Sequence, residues 1–560
     1  MKSLKLRDAI LLVVFCLITF FANRAALPTD IMESRNIITA REMVSDGNWL
    51  VPTMNGELRL EKPPLPTWVA GGIEKVFPDS LSAQRAAAGV MACMWVAYLF
   101  LLVRYVSRRN DLAIATTIVF TTCYNMVLMG RSATWDIYCH AFMMGAIYYL
   151  NLGLFEKRHY WRNFLLSGAF MGLSFLSKGP VSFYALLLPY LITLTLLPRP
   201  SMKGKWWAFA AMIVLMLAIG SWWYVYLLTA HPAEVERVIH KESGNWSNHN
   251  VRPWWYYWRF FLEMGVWAVL MLAALAVPYW KRHIEVKREY LLSVTWAIAS
   301  LVLLSLMPEK KTRYLLPLLA PCSIVVACLI IHFKDGRPLD GFSRWLYIVN
   351  GCLISLVVVS LPVVLYIFGV KKGTIGMTEE VIATIFMIAV AAWLLVKTFK
   401  LRPMEFIGGI AALFAFAELF LLTPIGKAFG NPAGHSISEV RANGKIAGIP
   451  FYHSKDEALR IELVYEAHRK ILPLDLKDST AVIDAVPFVL VSQKWVREEL
   501  PPSVLNKVDT VSIGTFDDNK HPKTSHLYTP LFINHVTLVK TKKVKTGNIY
   551  ESLFPHHGMR

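Results

Sequence analysis

Four clusters of charged and polar residues interrupt an otherwise apolar chain, and each sets carboxylates beside cations. The first begins with Asp30, Glu33 and Arg35 and continues through a helical pattern carrying Ile37, Ala40 and Val44. It closes on Arg59-Leu60-Glu61-Lys62-Pro63-Pro64. Asp30 and Glu33 stand at a helix start, where the dipole favours carboxylates. They read as caps or as general bases. Two prolines hold Glu61 and Lys62 extended, as a surface ion pair or as groups held for use. The second cluster, Arg131-Ser132-Ala133-Thr134-Trp135-Asp136, offers a structural ion pair or a second functional carboxylate. The third holds His231, Glu234, Glu236, Arg237, His240, Lys241, Glu242, His249 and Arg252, then Pro253-Trp254-Trp255-Tyr256-Tyr257-Trp258. Its His and carboxylate residues are of metal-ligand type, but the spacing is irregular, unlike HExxH. The aromatic run is an interfacial belt or a platform for lipid or sugar. The fourth, Glu309-Lys310-Lys311-Thr312-Arg313-Tyr314, gathers three cations that suit a phosphate or an anionic lipid. Lys178, in Ser177-Lys178-Gly179-Pro180, is a further cation of this kind.

The elements that must position these groups are membrane helices. Of 560 residues, 55% are hydrophobic and 17% charged, and the mean hydropathy is +0.43. That excludes a disordered chain and an ordinary soluble protein. The net charge of +19 would suit a nucleic-acid binder, but the long apolar runs rule out a chain that stays in water. Apolar runs at 9–27, 82–103, 112–129, 137–155, 163–177, 181–197, 206–228, 260–279, 289–307, 315–332, 345–368, 381–397 and 404–424 predict about thirteen transmembrane helices. The fold class expected is an all-α polytopic membrane body over 1–424, followed by a small extra-cytoplasmic α/β domain over 425–560.

Alternate short connectors carry 22 Lys and Arg, against 7 in the others. This predicts a cytoplasmic N-terminus and an outer C-terminal domain. The long segments 28–81 and 229–259 then lie outside, and all four clusters face outward. Charges in a membrane body are costly unless paired or used, which makes the outer face the place for chemistry. The seven Cys (16, 93, 123, 139, 322, 328, 352) fall in or beside apolar runs, so no structural disulfide is expected. No nucleotide-binding glycine loop is visible. In the tail, strands are expected in Ala481 to Val491 and His535 to Lys540, and helices in Asp456 to Lys470 and Gln493 to Leu500. The pattern carrying Ile37, Ala40 and Val44 is expected to form a short helix lying in the interface plane.

Several of these segments together resemble a known family. They are the acidic first loop, Arg41-Glu42-Met43, Gly47-Asn48-Trp49 with Pro52, Glu61-Lys62-Pro63-Pro64-Leu65, Asp136, Pro253-Trp254-Trp255-Tyr256-Tyr257 and Arg313-Tyr314-Leu315-Leu316-Pro317-Leu318. This pattern resembles the aminoarabinose (4-amino-4-deoxy-L-arabinose) lipid A transferases. More broadly, it is similar to the dolichyl-phosphate-mannose protein mannosyltransferases of the GT-C superfamily of membrane glycosyltransferases. The resemblance implies a polyprenyl-phosphate-linked sugar donor and an acceptor, lipid A or a glycoprotein, on the outer face of the inner membrane. It implies direct displacement at the anomeric carbon with inversion. The base would be Asp30 or Glu33, with Asp30 preferred, because the family's adjacent Asp-Glu is here Met32-Glu33. Asp136 would orient the acceptor or the phosphate clamp. Arg35, Lys62 and Tyr314 would hold the donor phosphate, with Arg313 or Arg252 assisting. Glu61 with His240 would hold a divalent metal (Zn, Mg or Mn). No nucleotide cofactor and no nucleic-acid partner are implied, and a monomer is expected. The alternatives are a protein O-mannosyltransferase-like enzyme acting on Ser or Thr, a lipid-linked sugar transporter, and a receptor-like module that captures polysaccharide through its tail.

Overall fold

The computed structural model describes residues 3–542 except 249, 429, 430, 432, 433 and 520. His249, one of the metal-type residues of the third cluster, therefore lies outside the described residues. The chain divides into two compact units, one of residues 1–54 and 58–428 and one of residues 55–57 and 429–560.

The first unit is helical throughout. It opens with α1 (Leu6–Phe21), α2 (Ile31–Asp46), α3 (Leu65–Val76), α4 (Leu81–Ser107), α5 (Asn110–Thr121), α6 (Tyr124–Met129), α7 (Trp135–Phe155) and α8 (Tyr160–Lys178). Among the described residues nine helices are long and apolar enough to cross a membrane, which makes this a multi-pass membrane protein. They are α4, α7, Trp206–Ala230, Trp254–Ala274, Lys287–Leu306, Thr312–Asp335, Gly341–Val370, Met377–Phe399 and Pro403–Ala428. The other four predicted runs hold helices too, but shorter or more polar ones: α1, the α5–α6 pair, α8 and Phe183–Leu194. The α5–α6 run is broken at Thr122-Cys123, where the backbone leaves the helix. Thirteen crossings are therefore not reached by length and hydropathy alone.

Thr312–Asp335 is the most enclosed of the nine. Its apolar residues are buried on every side, as expected of a helix without a polar stripe. It begins with a 3-10 stretch, Thr312–Leu318, which carries Arg313 and Tyr314. α8 packs closely on Trp206–Ala230 because Gly168 and Gly172 leave room for it. A Cβ at Gly172 would lie 2.7 Å from the Ile219 side chain. Small residues at i and i+4 serve this purpose between membrane helices. α8 delivers Lys178 at its C-terminal end, where Gly179 (φ 67) stops the helix before Pro180.

α2 departs from expectation. It does not present one apolar face and one solvated face, because ten of its sixteen residues are buried. The reason is that its polar residues find buried partners. Asn36 donates to the Ala133 carbonyl at 3.0 Å and accepts from Thr67 Oγ1 at 2.9 Å, and Thr53 donates to Glu42 at 2.7 Å. The chain then forms a short ribbon, β1 (Thr53–Met54) and β2 (Glu57–Leu58), turned at Asn55-Gly56. Both turn residues have positive φ, 56 and 80, as a two-residue hairpin turn requires. The segment 229–259 is also more ordered than a loop, with a helix over Pro232–Asn248 and a 3-10 run from Trp254. All seven cysteines are free.

The second unit is a five-stranded mixed sheet with short helices. Its strands are β3 (Phe451–Ser454), β4 (Ile471–Leu474), β5 (Phe488–Ser492), β6 (Val508–Asp517) and β7 (Ile533–Thr541), in the order β4-β3-β5-β7-β6. β3 runs parallel to β4 and β5, and β7 runs antiparallel to β5 and β6. The strand expected from Ala481 is confined to β5. Asp478 accepts hydrogen bonds from the Thr480 and Ala481 amides and starts a helix over Ser479–Asp484 instead. An N-cap here outweighs the β-branched pair Val482-Ile483. Val482, Phe488, Leu490, Val504 and Val539 form this unit's core.

Candidate functional site

Asp30 and Glu33 sit three residues apart with different fates. Asp30 is exposed and caps α2, accepting from the Met32 and Glu33 amides at 2.7 Å through one oxygen, Oδ1. Its second oxygen has no role in the cap. Glu33 is 1% exposed. Both its oxygens receive the Arg85 guanidinium at 2.7 Å, and Oε1 also accepts the Ala133 amide at 3.0 Å. A bidentate pair of this kind is a strong, directional lock. It ties α2 to α4 and engages both oxygens of the Glu33 carboxylate.

Asp136 opens α7 and is 2% exposed. Lys178, at the end of the antiparallel neighbour α8, makes an ion pair with its carboxylate. The same ammonium lies 5.4 Å from the centre of the Tyr314 ring, which Lys311 and Arg313 also approach, at 5.8 and 5.7 Å. Lys311 is paired with Glu309 at 2.5 Å, and Tyr314 Oη donates to Glu309 at 3.4 Å. Arg313 lies within electrostatic reach of both Asp136 and Asp30. The first, second and fourth sequence clusters, with Lys178, therefore meet at one place.

Lys62 joins them, within reach of Lys178, Asp136 and Arg59, and contacts Glu242 at 3.8 Å. Burial, only partly offset by Glu242, pulls its ammonium below the ordinary lysine range. Arg59 is buried, with its guanidinium 5.3 Å above the Trp135 ring, and burial pushes it down to about 10. It faces Glu61, Arg35 and Glu242.

Glu61 and His240 are not brought together. Glu61 accepts from Lys241 at 3.0 Å, whereas His240 is 79% exposed and turns to Glu236 at 3.9 Å. Burial works to raise the Glu61 carboxyl, but the bond to Lys241, with Arg59 nearby, holds it below its usual range. Among the described residues no three His, Cys, Asp or Glu side chains form a metal-binding group. With an ammonium on its carboxylate and its expected partner turned away, Glu61 does not fit a metal centre in this arrangement. Arg252 is also displaced from its expected place. Its amide donates to the Pro308 carbonyl at 3.3 Å, but the residue is exposed and its side chain forms no ion pair among the described residues. Trp254, Trp255 and Trp258 are more than half exposed, as a lipid-facing belt would be, while Tyr257 is buried and bonded to Lys311.

One feature of the charge pattern stands out. Asp136, Glu309 and Glu61 each hold a lysine. Arg35, Arg59 and Arg313 have no carboxylate within 4 Å among the described residues, and the Nε atoms of Arg35 and Arg313 are buried without a hydrogen-bond partner. Buried donors without partners are costly; Arg59 lies near Arg35 and Lys62, and Arg313 near Asp136 and Tyr314. The arrangement can take an anion with several acceptor oxygens. From the sequence, Arg59 and Arg85 carry no expected site role, and Lys178 only that of a further outer cation. Lys178 had a signal in its position against the charge bias, and Arg85 had one as an ionisable group inside an apolar run. The packing of Arg59 on Trp135 has no local sequence signal.

The chain is similar to known proteins. The family model for dolichyl-phosphate-mannose-protein mannosyltransferase matches residues 61–224. A protein of Enterobacter sp. (strain 638) named undecaprenyl phosphate-alpha-4-amino-4-deoxy-L-arabinose arabinosyl transferase is 25% identical over 65% of this chain and 66% of its own length. A protein of the same name from Shewanella sediminis is 27% identical over 60% of this chain and 61% of its own. The chain thus spans slightly less than two thirds of the length of these curated relatives. The crystal structure of ArnT from Cupriavidus metallidurans bound to undecaprenyl phosphate shares the fold, with a TM-score of 0.69 and 16% identity. It covers 96% of this chain and 98% of that one. The resemblance read from the motifs is borne out.

Proposed function

We propose that this protein transfers a sugar from a polyprenyl-phosphate donor to lipid A or a similar envelope glycolipid. The single observation that carries the reading is the group of guanidiniums without carboxylate partners around Lys62, Lys178 and Tyr314, a cradle for a phosphate. The similarity to aminoarabinose transferases supplies the chemical class of donor and acceptor. On this reading the reaction takes place on the outer face of the inner membrane. The chain crosses thirteen times, with its N-terminus in the cytoplasm and its C-terminal unit in the periplasm, as the Lys and Arg distribution favours.

Each side chain then has a task. Asp30, exposed and with one carboxylate oxygen outside the cap, takes the proton from the acceptor's nucleophilic oxygen. That oxygen forms the new bond to the anomeric carbon as the carbon–oxygen bond to the phosphate breaks, and the configuration inverts. The leaving polyprenyl phosphate keeps the electron pair. Arg35, Arg59, Lys62 and Arg313 stabilise the charge that develops on it. Tyr314 shapes the cradle by holding Lys178, Lys311 and Arg313 around its ring. Asp136 is paired through Oδ1 with Lys178 and positions that lysine. No step is routed through a metal.

The test is reconstitution of the purified protein with polyprenyl-phosphate-linked aminoarabinose and lipid A, with products read by mass spectrometry. Transfer by the wild type, lost in Asp30→Asn and reduced in Lys62→Ala, is expected. Absence of any transfer, or equal transfer by all three, would refute the proposal. Mass spectra of lipid A and of envelope glycoproteins from cells with and without the protein separate the glycolipid acceptor from a Ser or Thr acceptor.

A further inference from the structure

The second unit contains a cleft that the transfer reaction does not use. The order β4-β3-β5 puts the first strand in the middle. The chain leaves β3 through the helix Ile461–Ala467 to reach β4 on one side, and returns through Ser479–Asp484 to β5 on the other. The segments that follow β3 and β5 therefore diverge. In open α/β sheets the crevice outside the carboxyl ends of the strands, at such a point of divergence, is where ligands bind. The cleft lies at this point. It opens to solvent, and its wall includes His453, Glu457 and Arg460 from the end of β3 and Gln493 from the end of β5. Asn534, at the start of antiparallel β7, completes it.

Two of these groups each keep one buried atom without a hydrogen bond. His453 is 9% exposed and its Nδ1 has no hydrogen bond. Arg460 stacks on Phe532 at 4.1 Å and faces Asp518 at 3.6 Å, and its Nη1 is buried and unbonded. Glu457 accepts from Ser492 and from the Gln493 amide, which fixes the floor and frees the Gln493 side chain. Buried polar atoms left open in this way are ordinarily satisfied by a ligand or by ordered water.

The balance of groups sets the ligand class. Arg460 is the cleft's cation, and Glu457 and Asp518 offset it, so there is no positive surplus for a phosphate. The remaining donors and acceptors are an imidazole and two carboxamides, which both give and accept hydrogen bonds. That is the complement of hydroxyl groups. Leu459, Leu463 and Val491 provide an apolar side for a ring's C–H face. We propose that this cleft binds a sugar ring by its hydroxyls, at a site separate from the charged cradle. The inference does not rest on the transfer reaction.

Saturation-transfer NMR on the full chain in detergent or nanodiscs tests it, with glucose, glucosamine and N-acetylglucosamine as probes and inorganic phosphate as competitor. The wild type should give saturation transfer to at least one sugar, and phosphate should not displace it. Gln493→Ala, a half-buried lip residue, and His453→Ala should each weaken binding roughly tenfold or more. Gln493→Ala keeps the test valid if His453→Ala does not fold. Lys494→Ala, exposed outside the cleft, and Asp30→Asn, in the other unit, should bind as the wild type does. No signal with any sugar, equal signals in wild type and cleft variants, loss in Asp30→Asn, or displacement by phosphate would each overturn the proposal.

Discussion

Replacing Asp30 and Glu33 in turn by their amides separates two carboxylates that the sequence sets side by side. Asn caps a helix about as well as Asp, so Asp30→Asn should leave stability within a few tenths of a kcal/mol. It removes the proton acceptor, and a lost general base lowers turnover by about 10²–10⁴, or roughly 3–5 kcal/mol of barrier. Glu33→Gln has the opposite profile. It leaves the Arg85 guanidinium, with a side chain 4% exposed, facing a neutral amide that cannot accept at both oxygen positions. Breaking one side of a buried pair costs about 3–5 kcal/mol. The assay is thermal unfolding of the purified membrane protein beside single-turnover sugar transfer. Donor binding should persist in Asp30→Asn, because Asp30 is not part of the phosphate cradle. Wild-type turnover in Asp30→Asn, or wild-type stability in Glu33→Gln, would refute the division of roles.

Lys178→Met should destabilise by about 3–5 kcal/mol, since Asp136 is left buried and unpaired, and adding Asp136→Asn should recover part of that loss in a double-mutant unfolding cycle. Lys62→Ala should weaken polyprenyl phosphate binding roughly tenfold or more. In the wild type that affinity should fall at a lower pH than an exposed lysine would give, because burial depresses the ammonium. Polyprenyl phosphate at a hundredfold excess over its Kd should stabilise the protein by about 2.7 kcal/mol in unfolding experiments, and the gain should shrink in Arg313→Gln. In the second unit, burial raises the Asp518 carboxyl to about 6 despite Arg460. The unfolded chain releases that proton at lower pH than the folded one. The group therefore disfavours folding progressively as pH rises from about 4 to above 6, and Asp518→Asn should remove this part of the pH dependence of unfolding.

The membrane body was legible because a crossing helix must be about 20 apolar residues long, a signal that needs no partner. The proposed site left its signal where local rules were broken: cations against the charge bias on the side expected to face outward, and Glu61-Lys62 fixed by prolines. Pairings were not legible. Nothing near Glu33 announces Arg85, 52 residues on. Nothing near Glu61 says that Lys241 rather than His240 will face it, since adjacent residues on a helix point in different directions. The same limit explains α2. Its periodicity showed an apolar face, but the burial of its polar faces depends on Ala133, Thr67 and Thr53 from other elements.

The pairing pattern also bears on why the cradle is rigid before any ligand arrives. If every cation had a carboxylate partner, an incoming phosphate would have to displace one, and binding would lose what the broken pair had contributed. If none had a partner, the cluster would repel itself and spread. Here Asp136, Glu309 and Glu61 each neutralise one lysine, while Arg35, Arg59 and Arg313 have no carboxylate within 4 Å among the described residues, and Arg35 and Arg313 keep their buried Nε donors open. The paired lysines build walls, and the open guanidiniums supply the surplus. Arg is the better choice for that surplus, because its planar fork matches phosphate oxygens and it is more weakly hydrated than an ammonium. Arg313 is set at the head of the most enclosed helix and Arg59 is laid on buried Trp135, so neither can move far toward a carboxylate. The donors are held in place by packing rather than by a counter-charge, and an anion can then be bound without first breaking an ion pair.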